Sequence, residues 1–407
     1  MEGRVAEESG KAAKPAADLT GARILVVDDI EDNRHLLTRR LNREGYREIA
    51  VAADGEEALA LIAETAFDLV LLDVMMPKCD GYEVLERLRA DGRLHELPVI
   101  VISALNEMDS VVRCIQLGAV DYLPKPFNPT LLRARVSATL EQKLLRDVVR
   151  AHLKRIEDEL ESARKLQMSM VPSVFPPPTA EQPVEIFAVM EPAREVGGDL
   201  YDFFATEDGR LAFAIGDVSG KGIAAAMFMA RTKNLLRVVT GLLQHGAGMA
   251  DPGMIVSRVN RELCDDNDMM MFVTLLFGII DPRSGLVAFC NAGHDPAYKL
   301  GPDGVTAVEG PQGIALGVNP AFPFQTGELR LAPGEALYLY TDGITEAMAP
   351  DDAMFGKERL EERLRGLAEA PLNRVIGETV QAVRDFAADC PQSDDITGLA
   401  LRLLGSV

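Results

Sequence analysis

From residue 23 to about 140, short apolar runs alternate with amphipathic stretches: ILVV, IAVA, DLVLL, VIVIS and DYLP, each followed by a helix-like segment. Parallel strands need helical crossovers and are buried on both faces, so this rhythm predicts a doubly wound α/β parallel sheet. Chemistry in such sheets gathers at the carboxyl ends of the strands. Between about 131 and 170 there is neither Gly nor Pro, and Leu145, Val149, Ile156, Leu160 and Ala163 form an apolar stripe at helical spacing, interrupted by Gln167. A long helix is expected, either paired with a second copy as a coiled coil or packed on its own domains. Pro172 and the prolines from 176 to 178 end it, because proline lacks the donor and clashes with the preceding turn. Beyond them, VEIFAVM, LAFAIGDV, FVTLLFGII, LVAFCN, EALYLYT and ITGLALRLL read as strands, and 223–245, 254–266 and 373–388 as helices. That order suits an α+β domain with a mixed sheet layered by helices.

The 407 residues exceed one ordinary core. The expected organisation is a disordered tail over 1–20, an α/β domain over 21–140, a helical linker over 141–172 and a second domain over 173–407. A net charge of −21, with no basic stripe, argues against nucleic acid as a partner. Five scattered cysteines without a CxxC pair fit reduced thiols and a cytoplasmic setting. Neither a membrane span nor a leader peptide is expected.

The first domain places Asp28 and Asp29 after ILVV, Asp73 after DLVLL, Ser103 after VIVI and Lys125 in LPKPF. Three carboxylates brought together repel one another unless a cation joins them, and oxygen donors favour magnesium. Asp73 is then placed to attack a phosphoryl group while the cation and Lys125 neutralise charge. A lone aspartate at a strand end is ordinarily a turn or cap residue; the ordered combination carries the signal. These residues, with MMP after Asp73 and the Lys125-Pro126 pair, resemble the receiver domains of response regulators. The resemblance implies that Asp28 and Asp29 are the acidic pair, Asp73 the phosphoacceptor, Met75 a carbonyl ligand to one Mg²⁺, Ser103 and Tyr122 the switch pair, and Lys125 the phosphate sensor. It also implies a sensor histidine kinase or phosphotransfer protein as partner.

The second domain holds five clusters rich in Asp and Gly: Glu195 to Asp202, Gly216 to Gly222, Asn291 to His294, Tyr340 to Gly343, and Ser393 to Thr397. Glycine lets the backbone approach an ion, and Asp199, Asp217, Asp342 and Asp394 carry enough charge to balance two divalent cations. Such a pair supports phosphoester hydrolysis without a cysteine nucleophile. The clusters resemble the PPM family of metal-dependent serine/threonine phosphatases, in its SpoIIE-type branch. A β-sandwich flanked by helices, holding two Mn²⁺ or Mg²⁺, is implied. Asp217 would bridge both ions, Val218 would offer its carbonyl, Asp199 would bind one ion, and Asp342 with Asp394 the other. Asp395 and Asp202 would support these ligands. The implied substrate is phosphoserine or phosphothreonine on a partner protein, commonly an anti-sigma factor antagonist of the STAS type. The segment from Ala163 to Pro172 resembles the helix that leads into this branch's catalytic domain.

Two look-alikes lose. Gly197-Gly198-Asp199 is followed by Leu-Tyr and not by the Glu-Phe of diguanylate cyclases, and Gly216 to Gly222 has the wrong spacing for a phosphate loop. His294 is either a general acid or a turn-fixing side chain, and Arg194 either a phosphate clamp or a solvated surface residue. The run Met269-Met270-Met271 is expected to pack in the core. The rival to an enzyme is a non-catalytic phosphatase fold that sequesters a partner. A homodimer through the first domain and the linker helix is compatible with both readings.

Overall fold

The computed structural model describes residues 19–104, 108–243 and 250–405. The first 18 residues, most of the expected tail, lie outside the described residues, as do 244 and 245 of the helix expected over 223–245. The chain divides into two compact units between Arg155 and Ile156.

In the first unit the order is β1 (Arg23–Val27), α1 (Glu31–Arg43), β2 (Glu48–Ala52), α2 (Gly55–Glu64), β3 (Leu69–Asp73), α3 (Gly81–Ala90), β4 (Val99–Ala104), α4 (Met108–Leu117), β5 (Asp121–Lys125) and α5 (Pro129–Met170). The sheet runs β2-β1-β3-β4-β5 with every pairing parallel. Every residue of β3 is buried, as a central strand with helices on both faces requires. Leu25, Val70 and Leu72 point into one core, and Ile24, Leu69 and Leu71 into the other. Asp54 and Asp80 cap α2 and α3 by accepting from Glu57 N and Glu83 N, each at 2.9 Å.

Helix α5 is continuous for 42 residues and crosses the boundary between the units. Its first turns bury Leu132, Val136 and Leu140. Further along, Leu145, Val149 and Ile156 of the expected stripe are exposed.

The second unit comprises β6 (Val184–Glu191), β7 (Leu200–Ala205), β8 (Leu211–Val218), α6 (Ile223–Leu243), α7 (Pro252–Cys264), β9 (Val273–Ile280), β10 (Leu286–Ala292), β11 (Tyr298–Gly301), β12 (Gly304–Ala307), β13 (Gly327–Arg330), β14 (Ala336–Tyr340), α8 (Asp342–Thr345), α9 (Gly356–Leu367), α10 (Leu372–Ala387) and β15 (Ile396–Leu403). Two antiparallel sheets, β13-β10-β9-β8-β7 and β12-β11-β14-β15-β6, face one another. Strict alternation along β6 sends Val184, Ile186, Ala188 and Met190 into the layer between the sheets, where they join Phe213, Leu276 and Leu399. Helices α6 and α7 cover the outer face of one sheet through Phe228, Leu236 and Val259. Helices α9 and α10 cover the other through Leu360, Leu364 and Val380. The result is a helix–sheet–sheet–helix sandwich whose buried aliphatic side chains each stabilise it by about 1.5–3 kcal/mol.

The methionine run departs from its expected burial. Met271 packs against the core under α6, but Met269 is 70 % exposed and Met270 84 % exposed. Apolarity alone had suggested burial, yet the loop turns outward before β9 begins, with Met270 in the left-handed region at φ 51°.

Candidate functional sites

In the first unit, parallel pairing sets Val27 beside Leu72, so Asp28 and Asp73 emerge side by side at the carboxyl edge of the sheet. Asp28, Asp29 and Asp73 place one oxygen each within 4.8 Å of the others. No other such trio of metal-ligating side chains occurs among the described residues. Asp28 and Asp73 are buried, whereas Asp29 is exposed. The Lys125 ammonium lies 2.9 Å from Asp28 Oδ2 and 2.8 Å from Asp73 Oδ2. Burial raises the Asp73 carboxyl above its ordinary value, against the pull of Lys125. Asn33 donates to both oxygens of Asp28, and Arg34 donates to the carbonyls of Asp28 and Asp29, fixing this corner.

Ser103 is buried at the end of β4. Tyr122, on β5, pairs with Val101, two residues before Ser103 on β4. The Arg135 guanidinium lies 4.8 Å from the Tyr122 ring centroid, a cation–π contact made while Arg135 also pairs with Asp121. Met75, two residues beyond Asp73, has an exposed side chain.

In the second unit the acidic residues gather at one end of the sandwich. Asp199 directly precedes β7, and Leu200 pairs with Gly216, so Asp199 and Asp217 are neighbours across two strands. From the other sheet come Asp342, at the start of α8 after β14, and Asp394 and Asp395, just before β15. Two threonines bridge the layers: the hydroxyls of Thr341 (2.8 Å) and Thr397 both donate to Asp199 Oδ2.

Asp395 holds the glycine loop in place. Its Oδ1 accepts from Ala193 N at 2.8 Å, and its Oδ2 from Gly198 N at 2.7 Å and Asp199 N at 3.3 Å. The glycines are needed for this close approach. A Cβ on Gly197 would lie 2.2 Å from Asp395 Oδ2, and one on Gly198 would lie 2.8 Å from the Val218 carbonyl and 3.5 Å from Asp217 Oδ1. A Cβ on Gly343 would sit 2.0 Å from the Asp395 carbonyl.

The electrostatics are those of a crowded acidic site. Burial, followed by the charges of Asp342, Asp394 and Asp395, pushes the Asp217 carboxyl up to about 7, against its hydrogen bond with Asp199. Burial and then Asp217 push the Asp199 carboxyl well above its ordinary value. Asp342 rises to about 6 through burial, Glu346 and Asp394. One protein cation reaches the edge of this group: Lys221 Nζ lies 3.0 Å from Asp394 Oδ2 and also donates to the Ser393 carbonyl. The donor set therefore fits divalent cations. Oxygen ligands predominate, the negative charge is largely uncompensated, and Gly198 leaves open the space beside Asp217 and the Val218 carbonyl.

Other candidates stand elsewhere or are differently engaged. Asp202 is buried on β7 in an ion pair with α6, accepting from Arg237 Nε at 2.6 Å and Nη2 at 2.7 Å, with Lys233 at 3.2 Å. His294 has Nδ1 2.9 Å from Thr274 Oγ1 and Nε2 3.0 Å from the Tyr340 carbonyl. A carbonyl only accepts, so Nε2 carries the hydrogen and Nδ1 accepts from the threonine. Burial lowers this imidazole to about 4 and keeps it neutral. Both nitrogens are thereby occupied, which suits a turn-fixing side chain. Arg194 is exposed at the rim beside the glycine loop.

Gln167 was missed by sequence reasoning, which treated it as a break in a stripe. It is buried on α5, where its Nε2 donates to the Gly197 carbonyl at 2.7 Å and its Oε1 accepts from Gly197 N at 3.1 Å. Its place within the segment from Ala163 to Pro172, already singled out by resemblance, was the available signal. Lys221 was the second omission, visible only once the Gly220 turn carried it to Asp394.

Residues 24–137 match the response regulator receiver domain family, and residues 207–404 match the family of stage II sporulation protein E, SpoIIE. The chain therefore carries a response regulator receiver domain followed by a SpoIIE-type phosphatase domain. Among individual proteins, it is 36 % identical over 264 residues to Protein IcfG of Synechocystis sp., a match covering 60 % of this chain and 41 % of that one. It is 43 % identical over 129 residues to the response regulator PleD of Caulobacter vibrioides, covering 32 % of this chain and 28 % of that one. The chain thus spans less than half the length of either relative. The second unit shares its fold with the SiaA-PP2C domain of Pseudomonas aeruginosa, at a TM-score of 0.54 and 24 % identity, covering 62 % of this chain and 98 % of that one. Among the described residues, no helix is long and apolar enough to cross a membrane.

Proposed function

We propose that this protein hydrolyses phosphoserine or phosphothreonine on a partner protein in a manner controlled by phosphorylation of Asp73. The observation that carries the reading is the meeting of buried Asp199 with the half-buried Asp217, Asp342 and Asp394 at one end of the sandwich, where protein cations among the described residues are too few to balance them. Two divalent ions, Mn²⁺ or Mg²⁺, would be held by Asp199, Asp217, Asp342, Asp394 and the Val218 carbonyl. When bound, they would supply charge neutralisation at the phosphoryl group and acidify a water. In the overall reaction the water oxygen bonds to phosphorus and the seryl P–O bond breaks. Its electron pair goes to the seryl oxygen, which takes a proton, leaving inorganic phosphate and a free hydroxyl. Asp395 and Gln167 position the glycine loop, and Thr341 and Thr397 orient Asp199.

In the receiver, one Mg²⁺ would be held by Asp28, Asp29, Asp73 and the Met75 carbonyl, with Ser103, Tyr122 and Lys125 responding to the phosphoryl group. A sensor histidine kinase or a phosphotransfer protein is the proposed donor, and an anti-sigma factor antagonist of the STAS type the proposed substrate. A tenfold change in activity requires about 1.4 kcal/mol of differential stabilisation, within reach of one rearranged helical interface. The exposed stripe at Leu145, Val149 and Ile156 supports pairing of α5 with a second copy. We take 21–140 as the receiver, 141–172 as the linker and 173–407 as the phosphatase domain, in a cytoplasmic protein.

The test is manganese-dependent hydrolysis of p-nitrophenyl phosphate. The expected outcome is turnover that falls roughly a thousandfold in Asp217→Asn, the equivalent of several kcal/mol. Turnover that is absent, or that survives this substitution, favours the sequestering module.

A further inference from the structure

The methionines that turn away from the core belong to an exposed apolar surface beside the candidate phosphatase site. Ile223 and Met227, at successive turns on the outer face of α6, are 59 % and 68 % exposed, and Phe272 is 41 % exposed beside Met269 and Met270. These residues lie on adjoining elements. Ser219 N donates to the Phe272 carbonyl at 2.8 Å, and Phe272 N donates to Ser219 Oγ at 3.0 Å, so the methionine loop is bonded to the loop that follows Asp217 and Val218. Ile223 opens α6 only one residue after Gly222, which ends that same loop.

The methionine loop is held in shape rather than merely unburied. Asn267 donates from Nδ2 to the carbonyls of Met271 (2.7 Å) and Gly317 (3.2 Å) and accepts from Met271 N at 2.9 Å. A loop fixed before encounter loses less entropy on binding, and methionine adapts its shape to varied apolar partners. Asp265, Asp266 and Asp268, all exposed, precede the methionines in the same loop. The surface thus joins an apolar tip to an acidic flank. Its complement is a segment with an apolar anchor and basic side chains.

We propose that this surface docks the phosphorylated segment of the protein substrate, and that it selects segments carrying apolar and basic residues next to the phosphoserine or phosphothreonine. The inference rests on the phosphatase reading and adds a substrate class to it. Two features favour this occupant: continuity with the loop that follows Asp217 and Val218, and the acidic flank, which would repel a bare phosphate but attract a basic segment that carries one.

The experiment uses the full chain with manganese and two phosphoserine peptides of equal length, one flanked by Leu and Lys, the other by Ser and Glu. The value of kcat/KM for each peptide is divided by the same protein's rate on p-nitrophenyl phosphate, so that general losses cancel. The unsubstituted protein should favour the Leu/Lys peptide by about tenfold or more, the scale of one hot-spot pair. The preference should fall several-fold in a Met269→Ser, Met270→Ser double variant, which removes the apolar tip without adding charge, and it should also fall in Asp265→Lys, Asp268→Lys. Equal use of both peptides by the unsubstituted protein, or full preference in the methionine variant, overturns the proposal. So does a sedimentation shift showing that the methionine substitutions break a dimer, which would make a second copy the occupant. Failure of the unsubstituted protein to hydrolyse p-nitrophenyl phosphate is a separate result, and it removes the phosphatase reading and this proposal together.

Discussion

The receiver and the phosphatase domain each collect aspartates at strand ends, yet they balance the charge differently. In the receiver, the Lys125 ammonium sits between Asp28 and Asp73. In the phosphatase domain, buried Asp199 and half-buried Asp217 have no lysine or arginine partner among the described residues, and Lys221 reaches only Asp394 at the rim. The first site therefore carries part of its own counter-charge, whereas the second has most of its charge unmatched by lysine or arginine among the described residues. Burial, followed by the neighbouring acidic charges, holds the Asp217 and Asp342 carboxyls above their ordinary range.

The sharpest test of this contrast is to add metal and watch stability. Manganese at about a hundred times its dissociation constant should stabilise the phosphatase domain by about 2.7 kcal/mol, and Asp217→Asn should remove most of that gain. Calorimetry of the full chain, resolving the two unfolding transitions, checks it; no manganese-dependent shift in the second transition would break the comparison. A somewhat smaller effect is expected in the metal-free receiver from Lys125→Met. It leaves two buried carboxylates facing each other and should cost about 2 kcal/mol, read as a lower urea midpoint for that domain. The smallest effect should come from Lys221→Met. Lys221 and Asp394 are both 38 % exposed, so solvent screening should hold the loss below about 1 kcal/mol. A loss matching that of Lys125→Met would show the two lysines to be equivalent and the contrast to be mistaken.

The sheet of the receiver was legible because its central strands are apolar throughout; DLVLL and VIVIS have no other comfortable place than a sheet buried on both faces. The strands β8, β9, β10, β14 and β15 were legible for much the same reason, and β6 by its strict alternation. The short β11, β12 and β13, four residues each, carry too little pattern to be seen. Helix α9 was also passed over: its sequence is highly charged, and only Leu360, Leu364 and Leu367 reveal its buried face.

Positions at strand ends singled out the aspartates of the first site, and clusters rich in Asp and Gly those of the second. What local pattern could not supply was partnership across the fold. Asp202 sits three residues from Asp199, yet strand alternation and the cations of α6 draw it into an ion pair of its own. His294 reads as a candidate acid until its two nitrogens are traced to Thr274 and Tyr340. Met269 and Met270 read as interior by composition because nothing nearby in sequence discloses that Asn267 fastens the loop facing outward.

The amide of Gln167 engages both the donor and the acceptor of a single glycine, and that grip depends on the phase of its helix. Turning the last turns of α5 by one position, roughly 100°, would exchange the amide for Leu166 or Met168. The Gly197 peptide would then lose both partners, at a cost of about 1–3 kcal/mol for each group left dry. Gly197 is two residues from Asp199, so helical rotation would act directly on the position of that carboxylate, and a twist too slight to alter the fold would still be felt there.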